Sequence, residues 1–217
     1  MALLVKICGL NTAEAGDAAV RAGADFGGLV FHEKSPRAVS LEAARSLAGH
    51  LRGRVRLVAL VADADDAMLA AIHAAVHPDF FQLHGRETPE RAATIFAHFG
   101  VPLIKAFAIA DEADFAPVAA YAPFTAMFLF DAKAPDGARP GGHGVAFDWQ
   151  LLRGRKFPRP WLLAGGLDPE NVARAISAAH APGVDVSSGV ESAPGVKSPD
   201  LIAAFISAAR HQGGVPL

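Results

Sequence analysis

Cys8 is the residue whose chemistry stands out first. It is the only cysteine among 217 residues, and it closes the run Leu4-Val5-Lys6-Ile7-Cys8 just ahead of Gly9. Strand periodicity of two places Leu4, Lys6 and Cys8 on one face and Val5 and Ile7 on the other. A thiol with a pKa of about 8.5 is only a few per cent thiolate at neutral pH, so a thiol base needs a cationic or dipolar neighbour. Lys6, one pleat below, is placed to be that neighbour. A lone cysteine can equally be a small core hydrophobe; its position at a strand end before glycine is what points to chemistry.

Two other stretches suit an anion. Leu163-Ala164-Gly165-Gly166-Leu167 and Asp185-Val186-Ser187-Ser188-Gly189-Val190-Glu191 each lead a short apolar run into small residues, with a helical pattern beyond. Glycine lets backbone approach a ligand closely, and a helix start offers unpaired amides with a favourable dipole, which together suit a phosphate. The candidates are Gly165, Gly166, Ser187, Ser188 and Gly189. Asp185 shares strand parity with Ser187 and is expected to face inward near Cys8, where it tunes or orients. Gln82 and His84 share a face of their own run and are expected to line the same pocket.

These residues need a scaffold that gathers strand ends. The chain alternates short apolar runs with Ala-rich helical stretches eight times. Strands are expected at Leu3 to Cys8, Phe26 to Phe31, Arg56 to Val61, Phe80 to His84, Leu103 to Phe107, Ala126 to Asp131, Trp161 to Ala164 and Val184 to Val186. Helical patterns lie near Thr12 to Ala22, Leu41 to His50, Asp65 to Val76, Pro89 to Phe99, Glu112 to Ala120, Pro169 to Ala179 and Pro199 to Gln212. A Gly/Pro-rich loop, Ala134 to Gly144, and a short helical turn near Phe147-Asp148-Trp149 follow the sixth strand. Caps at Thr12, Ser40, Thr88-Pro89, Asp168-Pro169 and Ser198-Pro199 mark helix starts. Eight βα units in this length predict an α/β fold, a single (β/α)8 TIM barrel over residues 1–217, with a phosphate site at the loops after strands 7 and 8.

Composition limits the function classes. A chain that is 52% hydrophobic and 19% charged can bury a sizeable core. Its net charge of -2 argues against bulk electrostatic binding of nucleic acid or an anionic membrane. The single cysteine fits a reducing compartment, and neither a signal peptide nor an apolar run of about 18 residues is evident, so a cytoplasmic location is expected. His73 and His77 have the spacing of two metal ligands but no third, and are expected to be a solvent-facing pair; no metal and no cofactor are expected.

Lys6-Ile7-Cys8-Gly9-Leu10, Ser35-Pro36-Arg37, Gln82-Leu83-His84-Gly85, Asp131 ahead of Pro140-Gly141-Gly142-His143-Gly144 and Phe147-Asp148-Trp149, then the two anion-binding stretches with Asn171-Val172, Pro194-Gly195 and Lys197, resemble phosphoribosylanthranilate isomerase. The resemblance runs from Lys6 to about Lys197 with every block in order. It implies an Amadori rearrangement of N-(5-phosphoribosyl)anthranilate in tryptophan biosynthesis, with Cys8 as base, Asp131 as acid and Arg37 pairing with the anthranilate carboxylate. Asp131 would start protonated, helped by apolar surroundings from Met127, Phe128, Leu129 and Phe130. The implied partner is a small phosphoribosyl substrate, with monomer and homodimer both open. A histidine-pathway phosphoribosyl isomerase and a non-catalytic phosphosugar-binding barrel are the competing readings. The first uses an aspartate where this chain has Cys8, and the second gives no reason to combine Cys8, Asp131 and Arg37.

Overall fold

The structure, a computed structural model, describes residues 2–133 and 147–212. Eight parallel strands close on themselves: β1 Leu4–Cys8, β2 Phe26–Val30, β3 Arg56–Val61, β4 Phe80–Leu83, β5 Leu103–Ile109, β6 Met127–Ala132, β7 Trp161–Leu163 and β8 Gly183–Val186, with β8 pairing back to β1. Between them run α1 Ala13–Ala22, α2 Leu41–Leu51, α3 Asp66–Val76, α4 Pro89–Phe99, α5 Val118–Tyr121 and α6 Val172–Ala179, and α7 Pro199–Gln212 follows the last strand. The expected loop from Ala134 to Gly144 lies outside the described residues.

The caps explain where most helices start. Side chains of Thr12, Ser40, Asp65 and Thr88 each accept from an amide in the first turn of α1 to α4, satisfying donors that a helix start leaves bare. Two expectations fail. Asp168-Pro169 does not open a helix: Asp168 Oδ1 accepts from the Glu170 and Asn171 amides at 2.8 Å, making a separate turn, and α6 begins at Val172. Glu112 to Ala120 is not one helix either. A 3-10 turn, Glu112–Phe115, is closed by reciprocal Asp111 and Asp114 caps, and the four-residue α5 follows after Pro117.

Parity divides the apolar residues into two layers. Val5, Ile7, Leu29, Leu57, Phe81 and Phe128 pack between strands and helices. Phe26, Val58, Ile104, Met127, Leu129 and Leu162, with Leu4 and Phe80 against them, fill the barrel interior. Fully burying one such side chain stabilises by about 1.5–3 kcal/mol. The interior is therefore a packed plug, and it leaves buried Lys6, Gln82 and Asp185 nearer the carboxyl ends of their strands.

Candidate active site

The register of β1 sets Lys6 opposite Asp185 of β8 and Cys8 opposite Gly28 of β2. Lys6 is fully buried and its Nζ donates to Asp185 Oδ1 at 2.8 Å; the Cys8 thiol is its other titratable neighbour. Burial works to lower the Lys6 pKa, but Asp185 and Cys8 outweigh it and hold the ammonium above its ordinary value. Burial pushes the Cys8 thiol up; Lys6 pulls it down, Asp185 pushes it up again, and the balance is raised. Gly28 makes room for this pair. A Cβ there would stand 3.0 Å from the Cys8 sulfur and 3.3 Å from Lys6 Nζ, a need that nothing in the local sequence pattern of Gly27-Gly28 announces.

Asp131, near the end of β6, and His84, just after β4, come together. Asp131 Oδ1 accepts from the Ala132 amide at 2.8 Å, and Oδ2 lies 3.4 Å from His84 Nε2. Gln82 Nε2 is 3.0 Å from His84 Nδ1. Nε2 is the ring nitrogen that faces Asp131. The expected apolar wrapping of Asp131 is corrected by parity. Phe128 and Phe130 belong to the outer layer, so of the four preceding residues only Met127 and Leu129 share its face, and the His84 imidazole lies 3.4 Å from the carboxylate.

Arg37 lies in the loop after β2. Its Nε and Nη2 donate to Glu191 Oε1 and Oε2 at 2.7 and 2.9 Å, the two-pronged geometry that suits a guanidinium and a carboxylate. Glu191 opens β9, Glu191–Ala193, which pairs with β10, Val196–Lys197, in a small antiparallel hairpin. Lys197 Nζ donates to Glu191 Oε1 at 2.6 Å and to the Ser187 carbonyl at 2.9 Å. Burial works to raise Glu191, yet bonds from Arg37 and Lys197 hold its carboxyl below the usual range.

The two glycine-containing loops meet. Gly165 and Gly166 have φ of 90° and 64°, the left-handed region that glycine enters without a steric cost. A Cβ on Gly165 would strike Ala132 N, and one on Gly189 would overlap the Leu167 carbonyl oxygen. After β8, Ser188–Val190 forms a 3-10 turn whose first bonded amides are those of Val190 and Glu191. The Ser188 and Gly189 amides thus precede the bonded part of the turn, as an anion site requires. Ser187 Oγ donates to the Cys8 carbonyl at 3.1 Å, tying this loop to the thiol-bearing strand.

One cleft at the carboxyl ends of the strands is lined by Cys8, Arg37, Gln82, His84, Asp131, Asp185 and Ser187. Gly165 and Gly166 sit in the loop after β7 and Ser188 and Gly189 in the loop after β8, outside that lining, with Gly165 against Ala132 and Gly189 against Leu167. Among the described residues, no group of three or more His, Cys, Asp or Glu could hold a metal. His73 and His77 are not both turned to solvent: His73 is partly buried and stacks on Phe99 at 5.8 Å between ring centroids.

Residues 5–208 match the family described as N-(5'-phosphoribosyl)anthranilate (PRA) isomerase. The chain belongs to that family. An N-(5'-phosphoribosyl)anthranilate isomerase of Rhodopseudomonas palustris (strain BisA53) is 56% identical over 211 residues, covering 97% of each chain. The solved phosphoribosylanthranilate isomerase of Thermotoga maritima has a TM-score of 0.86 at 36% identity, covering 96% of this chain and 99% of that one. A solved isomerase in complex with reduced 1-(o-carboxyphenylamino)-1-deoxyribulose 5-phosphate has a TM-score of 0.83 at 35% identity, with the same coverage. What the sequence reading of this isomerase missed is Gly28, Glu191 and Lys197 as parts of the site. Glu191 and Lys197 stood inside the matched blocks, but their bonds to Arg37 and Ser187 join segments that no local pattern connects.

Proposed function

We propose that the rearrangement runs between Cys8 and Asp131, with Arg37 gripping the anthranilate carboxylate and the loops after β7 and β8 holding the phosphate. The protein is an N-(5'-phosphoribosyl)anthranilate isomerase, converting an aminoaldose phosphate to 1-(2-carboxyphenylamino)-1-deoxyribulose 5-phosphate in tryptophan biosynthesis. The observation that carries the residue assignment is that Cys8, Asp131, Arg37 and Ser187 open into one cleft. The solved relative's ligand has an o-carboxyphenyl group and a 5-phosphate, the two anionic ends that this division of labour needs.

In this reading Asp131 gives its proton to the furanose ring oxygen, the C1–O bond breaks, and the nitrogen lone pair completes an iminium. The iminium acidifies C2–H, and the Cys8 thiolate takes that proton while the C–H electron pair forms the C1–C2 double bond of an enolamine. Loss of the C2 hydroxyl proton and protonation at C1 give the ketone. The proton gained by the thiol matches the one lost by the carboxyl, so the cycle closes without a co-reactant. Lys6 stabilises the thiolate, and His84 Nε2 faces the carboxylate that Asp131 becomes. Asp185 balances Lys6 and orients it. The closed barrel is taken as a single domain. No described helix is long and apolar enough to cross a membrane, and a lone free thiol suits the reducing cytoplasm.

The test is the decay of phosphoribosylanthranilate fluorescence, with the substrate generated in situ and Asp131→Asn run in parallel. The wild type should convert the substrate, and Asp131→Asn should lose about 100-fold or more of kcat, the scale of a general acid, while still binding the reduced product analogue. Folded protein that ignores this substrate but isomerises the histidine-pathway aminoimidazole would overturn the assignment.

A further inference from the structure

Arg37 reaches the cleft with half of its guanidinium already used. Its Nε–Nη2 edge is taken by Glu191 through two bonds of 2.7 and 2.9 Å, leaving Nη1 and the second Nη2 hydrogen for another acceptor. Glu191 is in turn fixed from three sides. Lys197 Nζ donates to its Oε1 at 2.6 Å and the Gly195 amide to its Oε2 at 3.1 Å. Its side chain is 4% exposed and that of Lys197 is fully buried.

The hairpin that carries Glu191 is itself clamped. Gly195 has a φ of 81°, and a Cβ on it would overlap the Pro36 carbonyl oxygen, one residue before Arg37. Asn11 Nδ2 donates to the Gly195 carbonyl at 2.8 Å. The far end of the network is Ser187, whose carbonyl and hydroxyl accept from Lys197 at 2.9 and 3.3 Å. A continuous chain therefore runs from the cleft-facing guanidinium, through a carboxylate and an ammonium, to the first residue of the loop after β8. It holds two cations and one anion, so one positive charge is left over at the rim.

We propose that Glu191 is a positioning residue: it aims the free edge of Arg37 at the substrate carboxylate and, through Lys197, sets the distance from that carboxylate site to the phosphate loop at Ser187. This rests on the reading of Arg37 as the carboxylate anchor. Glu191 occupies one edge of the fork and leaves the other open, and its own charge is neutralised by Lys197 rather than by Arg37 alone. A competitor for Arg37 would have to be displaced by substrate; a positioner stays and makes the free edge rigid. The two roles predict opposite signs when Glu191 is neutralised.

The experiment measures kcat and KM with phosphoribosylanthranilate for Glu191→Gln, Glu191→Asp, Arg37→Ala and the Arg37→Ala/Glu191→Gln double variant. Inhibition by inorganic phosphate is read in parallel. Glu191→Gln should raise KM about tenfold, the scale of one charge-assisted hydrogen bond, and weaken phosphate inhibition slightly, with kcat within about threefold of wild type. Glu191→Asp keeps the buried charge, and with it the fold, but shortens the reach; it should raise KM in the same direction, so the inference remains testable if Glu191→Gln does not fold. In the Arg37→Ala background Glu191→Gln should add little, which a general loss of structure would not reproduce. A lowered KM in Glu191→Gln, an unchanged KM in both Glu191 variants, or multiplying effects of Arg37→Ala and Glu191→Gln would overturn the inference. An Arg37→Ala variant with unaltered KM would instead overturn the carboxylate anchor itself.

Discussion

Two buried lysine–carboxylate pairs in this barrel have the same length and different surroundings. Lys6 meets Asp185 at 2.8 Å, and Lys105 meets Glu87 at 2.8 Å. Lys6 stands on the inward face of β1, whereas Lys105 stands on β5 between Ile104 and Ala106, both interior residues, and so points outward. The outer pair is satisfied by backbone: Lys105 donates to the Gly85 carbonyl at 2.8 Å, and Glu87 accepts from the Asp63 and Gly85 amides. The Tyr121 hydroxyl donates to the Glu87 carbonyl at 2.8 Å. The inner pair has a titratable thiol as its remaining neighbour. A buried ion pair is thus no sign of function by itself; strand parity and the third group decide whether it fastens a loop or manages a proton.

The outer pair should bear on stability and leave turnover alone. Lys105→Met leaves the Glu87 carboxylate buried without its cation, which should cost about 3–5 kcal/mol of stability, read by urea unfolding, while kcat per folded molecule stays near wild type. A large fall in kcat would mean that the outer pair reaches the chemistry. Next comes the inside. Lys6→Met combined with Asp185→Asn removes both charges together and should lower kcat about 100-fold, equivalent to about 2.7 kcal/mol, with a smaller loss of stability than the outer single change. Unaltered turnover would show that Lys6 only fastens β1 to β8.

Alkylation of Cys8 by iodoacetamide follows the thiolate, and because burial raises the thiol above its ordinary value, the rate should climb with pH through a midpoint on the alkaline side of that of an exposed cysteine. Removing Lys6 deprives the thiolate of its cation and moves the midpoint up; removing Asp185 moves it down. Lys6 has the larger influence of the two, so the paired variant should titrate higher than wild type. The Lys105→Met midpoint should coincide with wild type. A paired variant that titrates lower would contradict the placing of Lys6 beside the sulfur.

The strands could be read from sequence because buried parallel strands are short continuous apolar runs bounded by turn residues. Arg56–Val61 agrees with its expected range at both ends, and β1, β2, β4, β7 and β8 differ by one residue. Local signals failed where a side chain was recruited elsewhere: Asp168, with Pro169 behind it, has the pattern of a helix start, yet its carboxylate closes a turn of its own. The β9–β10 hairpin was missed because strands of three and two residues carry no periodicity. Within the site, parity alone placed Lys6, Cys8 and Asp185 inward. It also explains the error at Asp131, since the phenylalanines that flank Leu129 in sequence face the other layer. The Arg37–Glu191 pair joins residues 154 positions apart, and only closure of the barrel brings them together.

The central claim is that the Cys8 thiolate removes the proton from the substrate's C2. Its most direct test is the kcat of Cys8→Ala, measured by loss of phosphoribosylanthranilate fluorescence, together with the affinity of the same protein for the reduced product analogue. The thiol fills a space beside Gly28 that alanine leaves partly open, so the fold should persist. The expected result is a loss of about 100-fold or more in kcat, the scale of a general base, with analogue binding close to wild type. Near-normal turnover in Cys8→Ala would contradict the account and pass the role of base to another group in the cleft.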